Sequence, residues 1–172
     1  MRDKFRGFFY CLFLMCLPTL LLAQKKNVMF TDITSKAGID FKYTFGDYSY
    51  ENILESSGSG ITVFDYNNDG YQDLYLMNGT YLEGISQPEG KVFKDTRNKL
   101  YKNNGNGTFS EVSKVAGVDD RNWSMAAGAI DLDNDGYQDL YVLNYGANVF
   151  YHNNGDGTFS DITASLGLEG PD

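Results

Sequence analysis

Nine residues recur in this chain with their spacing intact, as Asp65-Tyr-Asn67-Asn-Asp69-Gly70-Tyr71-Gln-Asp73 and as Asp131-Leu-Asp133-Asn-Asp135-Gly136-Tyr137-Gln-Asp139. Each copy offers side-chain oxygens at its first, third, fifth and ninth positions and a glycine at the sixth. Calcium takes six to eight oxygens at about 2.3–2.6 Å, so a short loop must curl until alternate side chains converge on one point. Gly70 and Gly136 permit that curl, because glycine takes positive φ without a Cβ clash. The carbonyls of Tyr71 and Tyr137 would then point inward, and Asp73 and Asp139 would close the shell. The expected ligands are therefore Asp65, Asn67, Asp69, Tyr71 and Asp73 in the first loop and Asp131, Asp133, Asp135, Tyr137 and Asp139 in the second, with Ca2+ as the cofactor. A solvated acidic turn would show similar carboxylates but has no reason to repeat all nine positions.

An EF-hand loop needs a bidentate Glu at position twelve between two helices. Position twelve is Leu76 in one copy and Val142 in the other. Leu74-Tyr75-Leu76-Met77 and Leu140-Tyr141-Val142-Leu143 follow the loops as short apolar, aromatic runs, the length and type of buried strands. The loops therefore join β-strands.

A second phrase recurs three times: Phe30-Thr-Asp-Ile-Thr-Ser-Lys-Ala-Gly38-Ile, Phe109-Ser-Glu-Val-Ser-Lys-Val-Ala-Gly117-Val and Phe159-Ser-Asp-Ile-Thr-Ala-Ser-Leu-Gly167-Leu. Its last two copies follow Asn103-Asn-Gly105-Asn-Gly107-Thr and Asn153-Asn-Gly155-Asp-Gly157-Thr, whose Asn-Gly and Asp-Gly pairs favour tight hairpin turns. This predicts hairpins pairing Lys99 to Lys102 with Phe109 to Ser113, and Asn148 to His152 with Phe159 to Thr163. Each unit then has four strands: Gly60 to Phe64, loop, Asp73 to Met77 and hairpin in the first, and Ala126 to Ile130, loop, Asp139 to Asn144 and hairpin in the second. Gly79 to Arg97 reads as a surface loop inserted in the first unit, and Asp40 to Thr44 as a short strand. Four-stranded units that cannot bury both faces alone suggest an all-β fold built of β-propeller blades.

Met1 to Ala23 differs from the rest. Arg2, Lys4 and Arg6 precede an almost wholly apolar run from Phe8 to Leu22, the pattern of a secretory signal peptide cleaved after Ala23. The run is short for a membrane span and contains Pro18. A lipid-modified Cys16 is the other outcome considered. Cys11 and Cys16, the only cysteines, leave with the segment, so no disulfide or thiolate metal site is expected after it. The chain carries a formal net charge of -9, which argues against nucleic acid as a partner.

Asp-x-[Asp/Asn]-x-Asp-Gly-x-x-Asp-Leu-Tyr, then Asn-Asn-Gly-x-Gly-Thr-Phe-x-[Asp/Glu]-[Val/Ile]-[Ser/Thr], then Ala-Gly-Val, resembles the FG-GAP or VCBS repeats of integrin-α-like propellers. It is most similar to their branch in cartilage acidic protein and its ASPIC/UnbV relatives, whose opening also reads Phe-Thr-Asp-x-Thr-x-x-Ala-Gly-Ile. The resemblance covers Val28 to Leu168 and implies a secreted or surface-exposed, Ca2+-bound propeller serving in adhesion or protein interaction. It implies the same ligand residues in both loops. The expected organisation is a signal peptide at 1–23, an N-terminal segment with a closing strand (Phe30 to Thr34) at 24–59, and blades at 60–118 and 119–172. About two blades make an incomplete propeller, since closure takes roughly four to eight; the expectation is that further blades are missing or that the chain self-associates.

No enzyme is expected. The mature chain would have no cysteine, a single histidine, His152, and no nucleophile elbow, P-loop or dinucleotide fingerprint. His152 reads as an ordinary side chain in a strand beside a turn, Ser56-Ser-Gly58-Ser-Gly60 as a flexible lead into a strand, and Trp123 as blade-core packing. Asn78, Asn106 and Asn122 match the glycosylation sequon. The favoured function is a calcium-binding interaction module for an extracellular protein or glycan, with no stable membrane span after signal cleavage. The alternative is a non-catalytic scaffold within a larger secreted enzyme or substrate-binding assembly.

Overall fold

The computed structural model describes residues 29–49, 51–56 and 60–170. The expected signal segment, both cysteines and Ser57-Gly58-Ser59 lie outside the described residues. Among the described residues, eight strands form two four-stranded antiparallel sheets, each with its strands in sequence order. The first holds β1 (Ile61–Phe64), β2 (Asp73–Leu76), β3 (Lys99–Asn103) and β4 (Phe109–Glu111). The second holds β5 (Trp123–Ile130), β6 (Asp139–Tyr145), β7 (Val149–Asn153) and β8 (Phe159–Asp161). This is a propeller-like all-β fold of two blades, and each aspartate loop joins the first two strands of its blade. Among the described residues, no helix is long and apolar enough to cross a membrane.

The last strand of each blade ends two residues earlier than its sequence pattern suggests, because side chains take over from the backbone ladder. The Ser113 hydroxyl accepts the Leu100 N–H at 2.6 Å, and the Thr163 hydroxyl accepts the Phe150 N–H at 2.7 Å. Glu111 and Asp161 in turn accept the N–H groups of Ser113 and Thr163. Such local bonds favour turns over strands, and helical turns follow at Ser113–Ala116 and Thr163–Leu166.

The core lies between the blades. Phe64, Tyr75, Met77 and Leu100 of the first pack with Leu140, Val142 and Tyr151 of the second, and Ala127 and Ala129 of β5 close the contact. Alternation decides which residues enter: along β2, Asp73 and Tyr75 are buried while Leu74 and Leu76 are only partly so. Tyr75 is fully buried, and its hydroxyl is satisfied by donating to the Val118 carbonyl and accepting from Asn98 Nδ2. Tyr66 stacks on Phe159 at a centroid distance of 6.2 Å. Polar bonds cross the same seam, from Thr62 Oγ1 to the Ala127 carbonyl and from Asn153 Nδ2 to the Tyr66 carbonyl.

Two expectations for the N-terminal part are corrected. Asp40 to Thr44 is not a strand: Thr44 bonds by its N–H and hydroxyl to the Asn78 side chain, and Asp40 is held by Tyr101 and Lys99. Phe30 to Thr34 is not a strand either: 30–33 has no regular structure, a turn over 34–38 follows, and the Ala37 carbonyl accepts the Phe109 N–H at 2.8 Å. The Gly79 to Arg97 insert is more ordered than a surface loop. It carries a 3-10 helix, Pro88–Phe93, with Gly90 buried, and Asp47 accepts the Gln87 N–H at its start. Trp123 is core, as expected, with its ring against Gly46 and Gly79. Asn78 is buried and bonded to the carbonyls of Lys42 and Arg97, which leaves Asn106 and Asn122 as the exposed sequons.

Candidate metal centres

The two loops share one bonding scheme. In the second, the Asp131 carboxylate accepts the N–H groups of Asp135 (3.1 Å) and Gly136 (3.0 Å), Asp133 accepts Asp135 N–H, and Asp135 accepts Tyr137 N–H at 2.8 Å. In the first, Asp65 accepts Asp69 and Gly70 N–H, Asn67 accepts Asp69 N–H, and Asp69 accepts Tyr71 N–H. Gly70 and Gly136 have φ of 86° and 92°, the curl that the spacing requires. The Asp131 oxygens each keep a lone pair beyond their amide bonds, whereas Asp69 Oδ2 already accepts from Asn67 Nδ2 and faces the Lys102 ammonium. Both loops are thus folded around themselves, and the second has acceptor capacity left over.

The ninth position behaves differently. Asp73 and Asp139 are buried, and each ties the start of its loop to the end of the third strand of its blade. Asp139 accepts the N–H groups of Leu132 and Asn153; Asp73 accepts those of Tyr66 and Asn103. Burial pushes the Asp73 carboxyl up, the amides of Asn103 and Tyr66 oppose that, and the charges of Asp69 and Asp65 push it further. A cation beside it would reverse that pressure. Tyr71 and Tyr137 give their N–H groups to the loops, and their rings cover Gly105 and Gly155 in the hairpin turns.

Asp131, Asp133 and Asp135 each bring a carboxylate oxygen into a group lying within 4.8 Å of one another. Asp139 belongs to a second group with Asp133 and His152 on the same criterion. The first loop, with Asn67 in place of an aspartate, offers fewer charges. The second-loop carboxylates are hard oxygen donors spaced closely enough for a divalent cation, whereas among the described residues Asp65, Asp69 and Asp73 form no such group.

The sequence model of the FG-GAP-like repeat family matches the chain twice, over residues 92–142 and 131–172. The chain carries FG-GAP-like repeats. No curated protein matches it. The matched stretches contain the whole of the second loop; the first, Asp65 to Asp73, precedes them and is placed beside the second by its geometry alone. Asn68 Nδ2 donates to the Gly136 carbonyl at 2.9 Å, so the two repeats are linked loop to loop as well as core to core.

Two side chains of the repeats stand closer to the loops than the sequence suggests: Lys102, and His152, which reads as an ordinary strand side chain. His152 Nδ1 lies 3.1 Å from Asp139 Oδ1 and 3.7 Å from Asp133 Oδ2. In the first repeat the matching position is Lys102, whose ammonium lies 3.3 Å from Asp69 Oδ2. The pairing of β7 with β8 shows the match, since His152 faces Ser160 as Lys102 faces Ser110. Strand register was the available signal: with Leu140 opposite Tyr151, residue 152 falls beside residue 139.

Proposed function

We propose that this chain is an exported, calcium-stabilised interaction module of the type found in cartilage acidic protein and its ASPIC/UnbV relatives. One observation carries the reading: two self-curled aspartate loops with the same amide bonding sit at the same place in two packed blades. FG-GAP-like repeats suggest an adhesion or protein-interaction role. Calcium would act on the fold, neutralising carboxylates that the loops hold together. The partner would be an extracellular protein or glycan.

Calorimetric calcium titration of the full chain tests the metal reading. Two equivalents are expected, the tighter in the second loop because it has four carboxylates against three. Asp65→Ala and Asp131→Ala should each abolish one equivalent. A chain that takes up no calcium at millimolar concentration overturns the reading. For the interaction role, beads coated with the chain should adhere to cell surfaces in calcium and release in chelator; adhesion indifferent to calcium would count against it.

A further inference from the structure

We propose that the second loop is also a site for a borderline transition metal, of the zinc or cobalt class, held by Asp133, Asp139 and His152. The inference rests on the second loop being a cation site, and it assigns that site a selectivity which the oxygen ligands alone would not give. Imidazole nitrogen is a poor partner for calcium but a favoured one for zinc, cobalt and nickel.

Three observations point the same way. The geometry allows it: one ligand atom from each residue lies within 4.8 Å of the other two, and His152 Nδ1, which shares a hydrogen bond of 3.1 Å with Asp139 Oδ1, lies 3.7 Å from Asp133 Oδ2, close to the separation of about 3.3 Å that bonds of about 2.0–2.1 Å set in a tetrahedral shell. The ligands differ usefully in burial. Asp139 is buried and fixed by two backbone amides, whereas the side chains of Asp133 and His152 are 51% and 28% exposed, so the site is anchored on one side and open on the other. The first loop supplies the internal contrast. Its matching side chain is Lys102, an ammonium already paired with Asp69, and its third position is the uncharged Asn67. An ammonium has no lone pair to give a metal. The two repeats are therefore alike toward calcium and unlike toward a metal that prefers nitrogen.

The experiment is a cobalt(II) titration of the full chain in calcium-free buffer, followed by visible absorption, with calcium binding measured separately by calorimetry. Wild type should bind one cobalt with a ligand-field band, and His152→Ala should weaken cobalt on the order of tenfold or more, the scale of losing a group that tunes a metal, while binding calcium as before. Equal melting temperatures of wild type and His152→Ala in chelator exclude unfolding as the cause. The double variant Asn67→Asp with Lys102→His should gain a second cobalt equivalent. Unchanged cobalt affinity in His152→Ala, or no gain in the double variant, overturns the proposal. Cobalt binding that depends on His152 in a chain that ignores calcium would sink the calcium reading and leave this one standing.

Discussion

The ninth aspartate of each loop has two jobs, and they separate by mutation. Asp139 holds the amides of Leu132 and Asn153 whether or not a metal is present, so Asp139→Ala strands two donors in a buried place. A cost of about 2–4 kcal/mol is expected in chelator, read as a lower urea midpoint. Asp131 instead bonds exposed amides of its own loop. Asp131→Ala should cost under about 1 kcal/mol in chelator, yet remove a calcium equivalent; equal destabilisation by the two variants would contradict this division. The curl of both loops was legible in the sequence because the glycine and the oxygen-bearing side chains that set it are locally spaced. His152 and Lys102 were not, because their approach to the carboxylates depends on which residues of the third strand fall beside the loop, and register is a property of the sheet.

At the scale of elements, the strands were readable wherever an apolar run met a turn signal, and unreadable where side chains replace the ladder. The segment before β1 shows the second case. Asp47 is buried and accepts the N–H groups of Ser49 and Gln87 and the Ser49 hydroxyl, tying that segment to the insert with its 3-10 helix. Burial acts to raise its carboxyl, but the amides of Gln87 and Ser49 outweigh this and bring it down to about 2. Glu55, buried beside it, is pushed up, first by burial and then by Asp47 itself. The signs are opposite. A depressed Asp47 adds stability above its ordinary value near 3.8 that is lost as pH falls towards about 2. A raised Glu55 adds stability when protonated, lost as pH rises through its folded value. Urea midpoints taken between pH 5 and 2.5 should therefore fall more steeply for wild type than for Asp47→Asn, which removes the depressed group. Parallel curves would show that Asp47 does not anchor the insert.

Across the whole molecule, two blades share a core that neither could bury alone. The repeated motifs made the blades legible and left their packing open, since nothing local says that Asn153 reaches the Tyr66 carbonyl of the other blade. Asn153 and Asn103 hold matching positions, and both bond a carbonyl in their own blade, Gln138 and Gln72. Only Asn153 crosses the seam, and it is fully buried. Asn153→Ala is expected to cost about 2–4 kcal/mol and Asn103→Ala about 1 kcal/mol, as measured by chemical unfolding; equal costs would show that the crossing bond contributes nothing. Calcium bears on the same scale, because the loops it would bind are bonded to each other through Asn68 and to the strands through Asp73 and Asp139. The most direct measurement is thermal unfolding of the full chain in millimolar calcium and in chelator. At 100 times the dissociation constant each site should add about 2.7 kcal/mol, a rise of roughly 5–10 °C per site for a chain of this size. Melting curves that superimpose in calcium and chelator would contradict the claim that the aspartate loops are calcium sites on which the fold depends.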